Sequence, residues 1–337
     1  MEELKNNPST AGLLAQVGVV AIGRNEGQRL ISCINSVTKG SEFVVYVDSG
    51  STDGSALAAK NAHAQVVELD MKTPFSAASA RNAGFEYLRQ LAPSLSFVQF
   101  VDGDCEVDKG WIKTAVGFLN ANREVAVVCG RRRERFPSRS IYNRLCDAEW
   151  NTPIGKTKAC GGDAMMRVDA FERIGGFRED LIAGEEPELC VRLRAAGWQI
   201  WRLDSEMTLH DANITQLRQW GRRNVRSGYA FAAGANLHGA PPERHWVWES
   251  RRALFWGALL PLFCVVVSIV FPPFGLTLWF IYPVQMLRRM ARLPGSTLAR
   301  AQTAFFELLG RFPEAFGQIK FIYDRFLRRQ GRLIEYK

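Results

Sequence analysis

The chain has 337 residues, 47% of them apolar and 23% charged, which sets aside a disordered chain and leaves one large or two modest domains. Lysine and arginine outnumber the acids 43 to 34, for a formal net charge of +9, so phosphorylated substrates, anionic lipid and nucleic acid are all open as partners. Seven scattered cysteines without a C-x-x-C spacing set aside a disulfide framework and a structural zinc site, and suit a reducing compartment.

Residues 1–16 carry Glu2, Glu3 and Asn6-Asn7 and no long apolar core, so they read as an N-terminal extension and not a signal peptide. From Val17 onward, strand and helix patterns alternate. Val17 to Gly23, Phe43 to Asp48, Gln65 to Leu69, Phe97 to Asp102 and Val125 to Cys129 are short apolar runs of buried-strand character. Helical spacing covers Glu26 to Val37, the stretch from an Asp53 N-cap to Ala62, Ser76 to Leu91, and Lys109 to Leu119. This alternation predicts an α/β fold, a mostly parallel sheet with helices on its faces. Gly23-Arg24-Asn25-Glu26-Gly27 stands where a dinucleotide fold would carry G-x-G-x-x-G, so that fold is poorly supported.

Three places along this stretch could carry chemistry. Asp48 to Ser55 follows the second strand as an acid, then small turn residues, then a helix start; it suits a nucleotide or an ordinary turn with a cap. Arg81, early in a helix, can reach a pyrophosphate or simply face solvent. Phe97 to Asp104 delivers Asp102 and Asp104, separated by Gly103, to the end of an apolar strand. Two close carboxylates invite a hard divalent cation, and D-G is also common turn chemistry.

Beyond residue 252 the composition changes. Ala253 to Phe271 is 19 residues without a charge, about 28 Å of helix at ~1.5 Å per residue, close to a hydrocarbon core. After Pro272-Pro273-Phe274-Gly275 comes the shorter uncharged run Leu276 to Leu287, which leaves a tilted or re-entrant helix open. Arg251-Arg252 and Arg288-Arg289 bracket the pair, so both outer ends are expected in the cytosol. A buried hairpin of a soluble core is the rival reading. From Ala304 to Tyr336, aromatics recur at helical spacing among Arg and Lys, with Gly310, Pro313 and Gly317 interrupting; this suits a headgroup-level helix or one packed back on the protein.

The order of these motifs resembles glycosyltransferase family 2, with its GT-A fold. Arg24-Asn25-Glu26 after the first strand, Asp48 to Asp53, Arg81-Asn82-Ala83-Gly84 and Asp102-Gly103-Asp104 follow the family sequence of motifs. So do Gly161-Gly162 through Gly175-Gly176-Phe177, and Gly184 to Leu189 with Arg192-Leu193 and Gly197-Trp198. The resemblance covers roughly residues 17–210 and implies a nucleotide-diphospho-sugar transferase with a mixed, mostly parallel sheet. It implies nucleotide-sugar contacts from Arg24, Glu26, Asp48, Ser49, Arg81 and Asp102. It also implies one divalent cation, Mg²⁺ or Mn²⁺, on Asp104 and Asp102 with His210 as a third ligand. Glu186 stands at the general base, with Glu185 in reserve, for a single inverting displacement. Ser49 replaces the usual second Asp of its turn and Glu186 the usual Asp of the base motif. Gln216 to Trp220 resembles the Q-x-x-R-W of processive members, with Gln219 where Arg is expected.

The expected organisation is therefore an extension (1–16), a GT-A catalytic domain (17–235), a linker (236–252), a membrane hairpin (253–290) and a basic amphipathic tail (291–337). The expected function is transfer of a sugar from a UDP- or GDP-linked donor to a lipid-linked or membrane-sited glycan, in envelope or exopolysaccharide synthesis. It would take place at the cytosolic face of the inner membrane. The alternative is a catalytically inactive membrane assembly factor of the same fold. Nucleic acid ranks last, because the basic clusters flank apolar segments rather than forming a stacking surface.

Overall fold

The computed structural model describes residues 16–72, 75–329, 331 and 334, so most of the N-terminal extension and the end of the tail lie outside the described residues. Two compact units emerge. One comprises the chain up to residue 139 together with 146–179 and 185–213; the other comprises 140–145, 180–184 and everything from 214 onward. Residues 214–235 thus group with the C-terminal helices.

The first unit is built on a mixed sheet of β1 (Val17–Gly23), β2 (Phe43–Asp48), β3 (Gln65–Glu68), β4 (Phe97–Asp102), β5 (Cys105–Val107), β6 (Val125–Glu134), β7 (Gly155–Thr157), β8 (Ala164–Arg167) and β9 (Gln199–His210). The strand order is β3-β2-β1-β4-β8-β6-β9-β5, with β7 paired to β9. β1 lies parallel between β2 and β4 and is apolar along its whole length, as a strand covered on both faces must be. The registers place Gly23 opposite Asp48 and Ile22 opposite Asp102, so both acids reach the same carboxyl edge.

The helices of this unit are α1 (Gln28–Val37), α2 (Ser55–Asn61), α3 (Ala77–Leu91), α4 (Trp111–Ala121), α5 (Ile141–Glu149, which straddles the two units), α6 (Val168–Arg173) and α7 (Glu185–Ala195). α3 starts on a reciprocal cap: Ser79 N donates to Ser76 Oγ at 3.2 Å, and Ser76 N to Ser79 Oγ at 2.8 Å. Its Gly84 abuts β1 and β2; a Cβ there would sit 2.5 Å from Val20 and 2.7 Å from Val47. Asp53 accepts from Ser55 N at 3.0 Å, while the N-cap position itself falls on Gly54, whose φ of 83° suits glycine.

β6 runs five residues past its expected end at Cys129. Arg131, Arg132, Arg133 and Glu134 all pair with β9 across register shifts, so this basic run is part of the sheet.

The second unit holds α8 (Leu217–His238), α9 (Val247–Val270, with a π turn at Phe255–Leu259), α10 (Pro272–Leu278), α11 (Ile281–Met290), α12 (Thr297–Leu309) and α13 (Arg311–Phe326). Residues expected as a linker include the end of α8 and the first turns of α9. α9 is the one helix among the described residues long and apolar enough to cross a membrane by length and composition. The second apolar run is not one helix: a turn at Trp279-Phe280 divides it into α10 and α11. Tyr282 donates to the Trp256 carbonyl at 2.8 Å and ties α11 back to α9. α13 crosses α8 at close range, where a Cβ on Gly317 would meet the Val225 carbonyl at 2.0 Å. One face of α13 therefore packs inside the unit through Ala315 and Gln318, while Phe312, Phe316, Ile319 and Ile322 stay exposed on the other.

Candidate active site

Arg81 lies buried at the centre of the site, on the first turns of α3. Its Nη1 meets Glu185 at 2.8 Å and Glu186 at 3.0 Å, and its Nη2 meets Asp102 at 2.9 Å. Burial works against the charged guanidinium, but the three carboxylates outweigh it and raise the pKa above the ordinary arginine value. Arg81 is thus committed to holding acids. The next residue, Asn82, clamps the glycine loop: its Nδ2 donates to the Phe177 carbonyl at 2.9 Å, and its Oδ1 accepts from Phe177 N at 3.0 Å. The Arg-Asn-Ala-Gly string therefore divides its work among charge pairing, loop anchoring and close helix–sheet contact.

The other side of Asp102 faces Arg132, whose Nη2 lies 3.2 Å from Asp102 Oδ2 and whose Nε lies 3.5 Å from Asp163. The Arg132 guanidinium also rests 4.8 Å above the Trp150 ring. Asp163 is buried, accepting from Asp102 N at 3.0 Å and from Thr208 Oγ1 at 2.8 Å. Gly162 packs on the Arg81–Asp102 pair: a Cβ there would stand 2.4 Å from Arg81 Nη2 and 3.1 Å from both Asp102 oxygens. Gly161 has open space at the same position.

Asp104 turns the opposite way. Its Oδ2 lies 3.1 Å from His210 Nε2, and both side chains are buried. Burial, followed by the Arg132 charge, pushes the His210 pKa down to about 3, so the imidazole is neutral at physiological pH. Its Nδ1 has no hydrogen-bond partner and sits 3.9 Å from Glu134, which accepts from Phe136 N and Ala212 N. The Asp104 carboxylate, Cys105 Sγ and a His210 ring nitrogen fall within 4.8 Å of one another; Asp102, Cys105 and Asp163 form a second such group. Burial holds the Cys105 thiol protonated, which leaves the carboxylates and the imidazole as the ready donors. Two oxygen donors and a neutral imidazole, backed by a carboxylate behind the other ring nitrogen, are a donor set that fits a divalent cation. Charge points the same way. Four carboxylates (Asp102, Asp163, Glu185 and Glu186) meet two guanidiniums, and Asp104 faces an uncharged ring.

Glu185 and Glu186 open α7, where the helix dipole favours acids. Their exposures separate them: the Glu185 side chain is 3% exposed and that of Glu186 15%. Burial, then the neighbouring Glu185 charge, push Glu186 up to about 7 despite Arg81. Behind them Glu188 pairs with Arg192 at 2.7 Å, and Arg192 donates to the carbonyls of Ile174 and Gly176. The acidic helix and the glycine loop are thereby fixed to each other.

The remaining expected residues lie at the carboxyl edge of β1 and β2. Asp48 spends its carboxylate on its own turn, accepting from Tyr46 Oη, Gly50 N and Ser51 N. Ser49 is buried, and its N–H donates to the Gly23 carbonyl at 3.1 Å. Arg24 is exposed with its guanidinium 5.7 Å from the Phe75 ring, and Glu26 pairs with Arg29 at 2.7 Å. Gln219, the departure from the processive pattern, caps α8 by accepting from Thr215 N and Gln216 N at 3.0 Å. Sequence reasoning missed Arg132, Glu134, Trp150 and Asp163. Only Asp163 had a signal, its place directly after Gly161-Gly162.

Known proteins resemble this chain in sequence and in fold. Residues 19–175 match the family model for glycosyl transferase family 2. The pre-mycofactocin glycosyltransferase of Mycobacterium tuberculosis is 26% identical over 233 residues, which is 66% of this chain and 48% of that protein. The succinoglycan biosynthesis protein ExoA of Rhizobium meliloti is 27% identical over 180 residues, 50% of this chain and 54% of that one. The chain thus spans about half the length of the curated relatives it matches. Among solved structures, the mannosyltransferase of Pyrobaculum calidifontis, in complex with GDP-Man and Mn²⁺, superposes with a TM-score of 0.58 at 18% identity. That match covers 92% of this chain and 88% of the other, and establishes the shared fold.

Proposed function

We propose that the chain, whose residues 19–175 match the glycosyl transferase family 2 model and whose fold is GT-A, is an inverting transferase of sugars from nucleoside-diphosphate donors. The observation that carries the proposal is Arg81 bridging Asp102, at the end of β4, to Glu185 and Glu186, at the start of α7. It joins the donor end of the site to a partly exposed carboxylate of raised pKa.

Asp104 and His210, with Asp102 beside them, would hold a divalent cation, Mg²⁺ or Mn²⁺; the Pyrobaculum calidifontis mannosyltransferase of the same fold is in complex with Mn²⁺. When bound, the cation supplies positive charge against the departing diphosphate. Arg132, partly exposed over Trp150, offers a further cation on the same side. The carboxyl edge of β1 and β2, with Arg24, Asp48 and Ser49, receives the nucleoside. Glu186 accepts the proton of the acceptor hydroxyl as that oxygen bonds to the anomeric carbon and the bond to the diphosphate breaks. Glu185 acts behind it, fixing Arg81 and keeping Glu186 protonated until higher pH.

The acceptor is a lipid-linked or membrane-sited glycan, and the chain is held at the cytosolic face of the inner membrane by α9 and the helices that return beside it. Support comes from the exposed apolar surface of α9, α10 and α13 and from the arginines at both ends of the apolar pair. The relationship to a succinoglycan biosynthesis protein favours envelope or exported polysaccharide.

The test is titration of the detergent-solubilised full chain with UDP and GDP, with Mn²⁺ and with EDTA. Saturable binding of one nucleotide that needs Mn²⁺ is expected. Binding of equal strength in EDTA would remove the metal from the proposal, and binding of neither nucleotide would remove the donor.

A further inference from the structure

The C-terminal unit contains a cavity of about 480 Å³ lined by residues of α9, α11, α12 and α13. Six of the lining side chains are arginines: Arg251, Arg252, Arg288, Arg289, Arg292 and Arg311. Glu307 is the one acid among them, and it is occupied by both nitrogens of the Arg289 fork, at 2.5 and 3.1 Å. Arg311 is held by Glu314 at 2.5 Å. Arg251, Arg288 and Arg292 make no ion pair among the described residues, and Arg252 makes none either, although Glu249, Glu307 and Glu314 act on its charge from further off; all four arginines face one cavity. Like charges brought together without an anion repel, and guanidinium forks match phosphate oxygens in pairs.

The position of the cavity identifies the ligand further. Arg251 and Arg252 immediately precede the uncharged run of α9, and Arg288 immediately follows the uncharged run of α11. The two ends of the apolar pair therefore converge on one basic pocket. Leu262, Phe263 and Ile269 of α9 and Leu287 of α11 leave an exposed apolar surface running away from it. Trp248, 69% exposed at the rim, has the amphipathic character of residues at a membrane–water boundary. A free phosphate would satisfy the arginines and leave this apolar surface bare.

We propose that this pocket binds the phosphate or diphosphate head of a membrane lipid, whose chains run along α9 and α11. The inference rests on the membrane attachment proposed above and on none of the catalytic assignments.

Dodecyl phosphate is the probe, titrated by calorimetry into the full chain in an uncharged detergent, with inorganic pyrophosphate alongside. Arg251, Arg288 and Arg292 are exposed, so their replacement should leave the fold intact. The triple variant Arg251→Gln, Arg288→Gln, Arg292→Gln is expected to bind dodecyl phosphate at least ~10-fold more weakly, the loss that follows from removing a charged hydrogen bond. Arg123→Gln, an exposed arginine of the other unit, should bind as the unaltered chain does, and nucleotide binding should be the same in all three proteins. Equal weakening by Arg123→Gln, undiminished binding by the triple variant, or pyrophosphate binding as tight as dodecyl phosphate would each overturn the lipid site. Pelleting with membranes is measured in parallel. A chain that stays in the soluble fraction overturns the attachment and the lipid together; a pelleting chain with unaltered triple-variant binding overturns the pocket alone.

Discussion

Asp104 Oδ2 and His210 Nε2 lie 3.1 Å apart although 106 residues separate them in the chain. The contact is a product of the sheet: β5 pairs antiparallel with the end of β9, setting Cys105 opposite His210 and bringing Asp104 alongside. If the pair holds a cation, His210→Ala should weaken Mn²⁺ binding by more than the ~10–100-fold typical of losing an outer-shell partner. Mn²⁺ paramagnetic resonance, in the presence of whichever nucleotide binds, reads this directly. Unchanged affinity would leave His210 as a buried structural residue.

The two glycines of the Gly161-Gly162 pair should behave differently. A methyl group on Gly162 collides with Arg81 and crowds Asp102, whereas one on Gly161 meets nothing within 4 Å. Gly162→Ala should reduce transfer by displacing the Arg81–Asp102 pair, and Gly161→Ala should be close to neutral. Equal activity in the two variants would show that the pair tolerates movement.

Removing Arg81 leaves Asp102, Glu185 and Glu186 without their shared cation, and Glu185 is wholly enclosed. Breaking a buried pair by deleting one partner costs about 3–5 kcal/mol, so Arg81→Met should destabilise the fold on that order. Denaturant unfolding of the full chain checks the magnitude. A loss of activity with no loss of stability would reassign Arg81 from positioning the acids to binding the donor.

The proton on Glu186 has a definite pH signature. Its pKa, pushed up to about 7 by burial and by Glu185, lies above the ordinary value of 4.5. The base form is therefore scarce at pH 6, and kcat/KM should rise with pH and level off above about 7. The stability effect has the opposite sign. The folded chain binds this proton more tightly than the unfolded one, so the contribution is full below the ordinary carboxylate range and is lost as pH rises through 7. A rate profile flat from pH 5.5 to 8, an interval chosen to span the shifted value by roughly a unit on each side, would argue for another base.

Much of the first unit was legible in the sequence because its central strands are unambiguous. β1, β2 and β4 are apolar throughout, end in Gly or Asp, and appear where periodicity places them. β5, β7 and β8 have three or four residues, too few to show a period, and were not foreseen. Arg132 was hidden for a different reason. In a run of three arginines, spacing cannot say which one turns inward, and the answer depends on the register shifts between β6 and β9. Asp163 has only its place after Gly161-Gly162 to mark it and Glu134 has no local pattern; their partners, Asp102, Thr208, Phe136 and Ala212, are mostly distant in the chain. In the second unit, the apolar runs were clear and the break at Trp279-Phe280 was passed over, although Pro283, in the first turn of α11, lacks the N–H that would continue the helix onto the Trp279 carbonyl.

The most direct test of the central claim compares the full chain with its Glu186→Gln variant, for nucleotide binding and for sugar transfer under the same Mn²⁺ conditions. Glutamine keeps the size and a hydrogen-bonding oxygen but cannot take a proton. Nucleotide affinity should be unchanged while transfer falls by the ~10²–10⁴-fold expected from losing a general base. Transfer at the unaltered rate would contradict the account, because the carboxylate that Arg81 joins to the donor end would then have no part in the reaction.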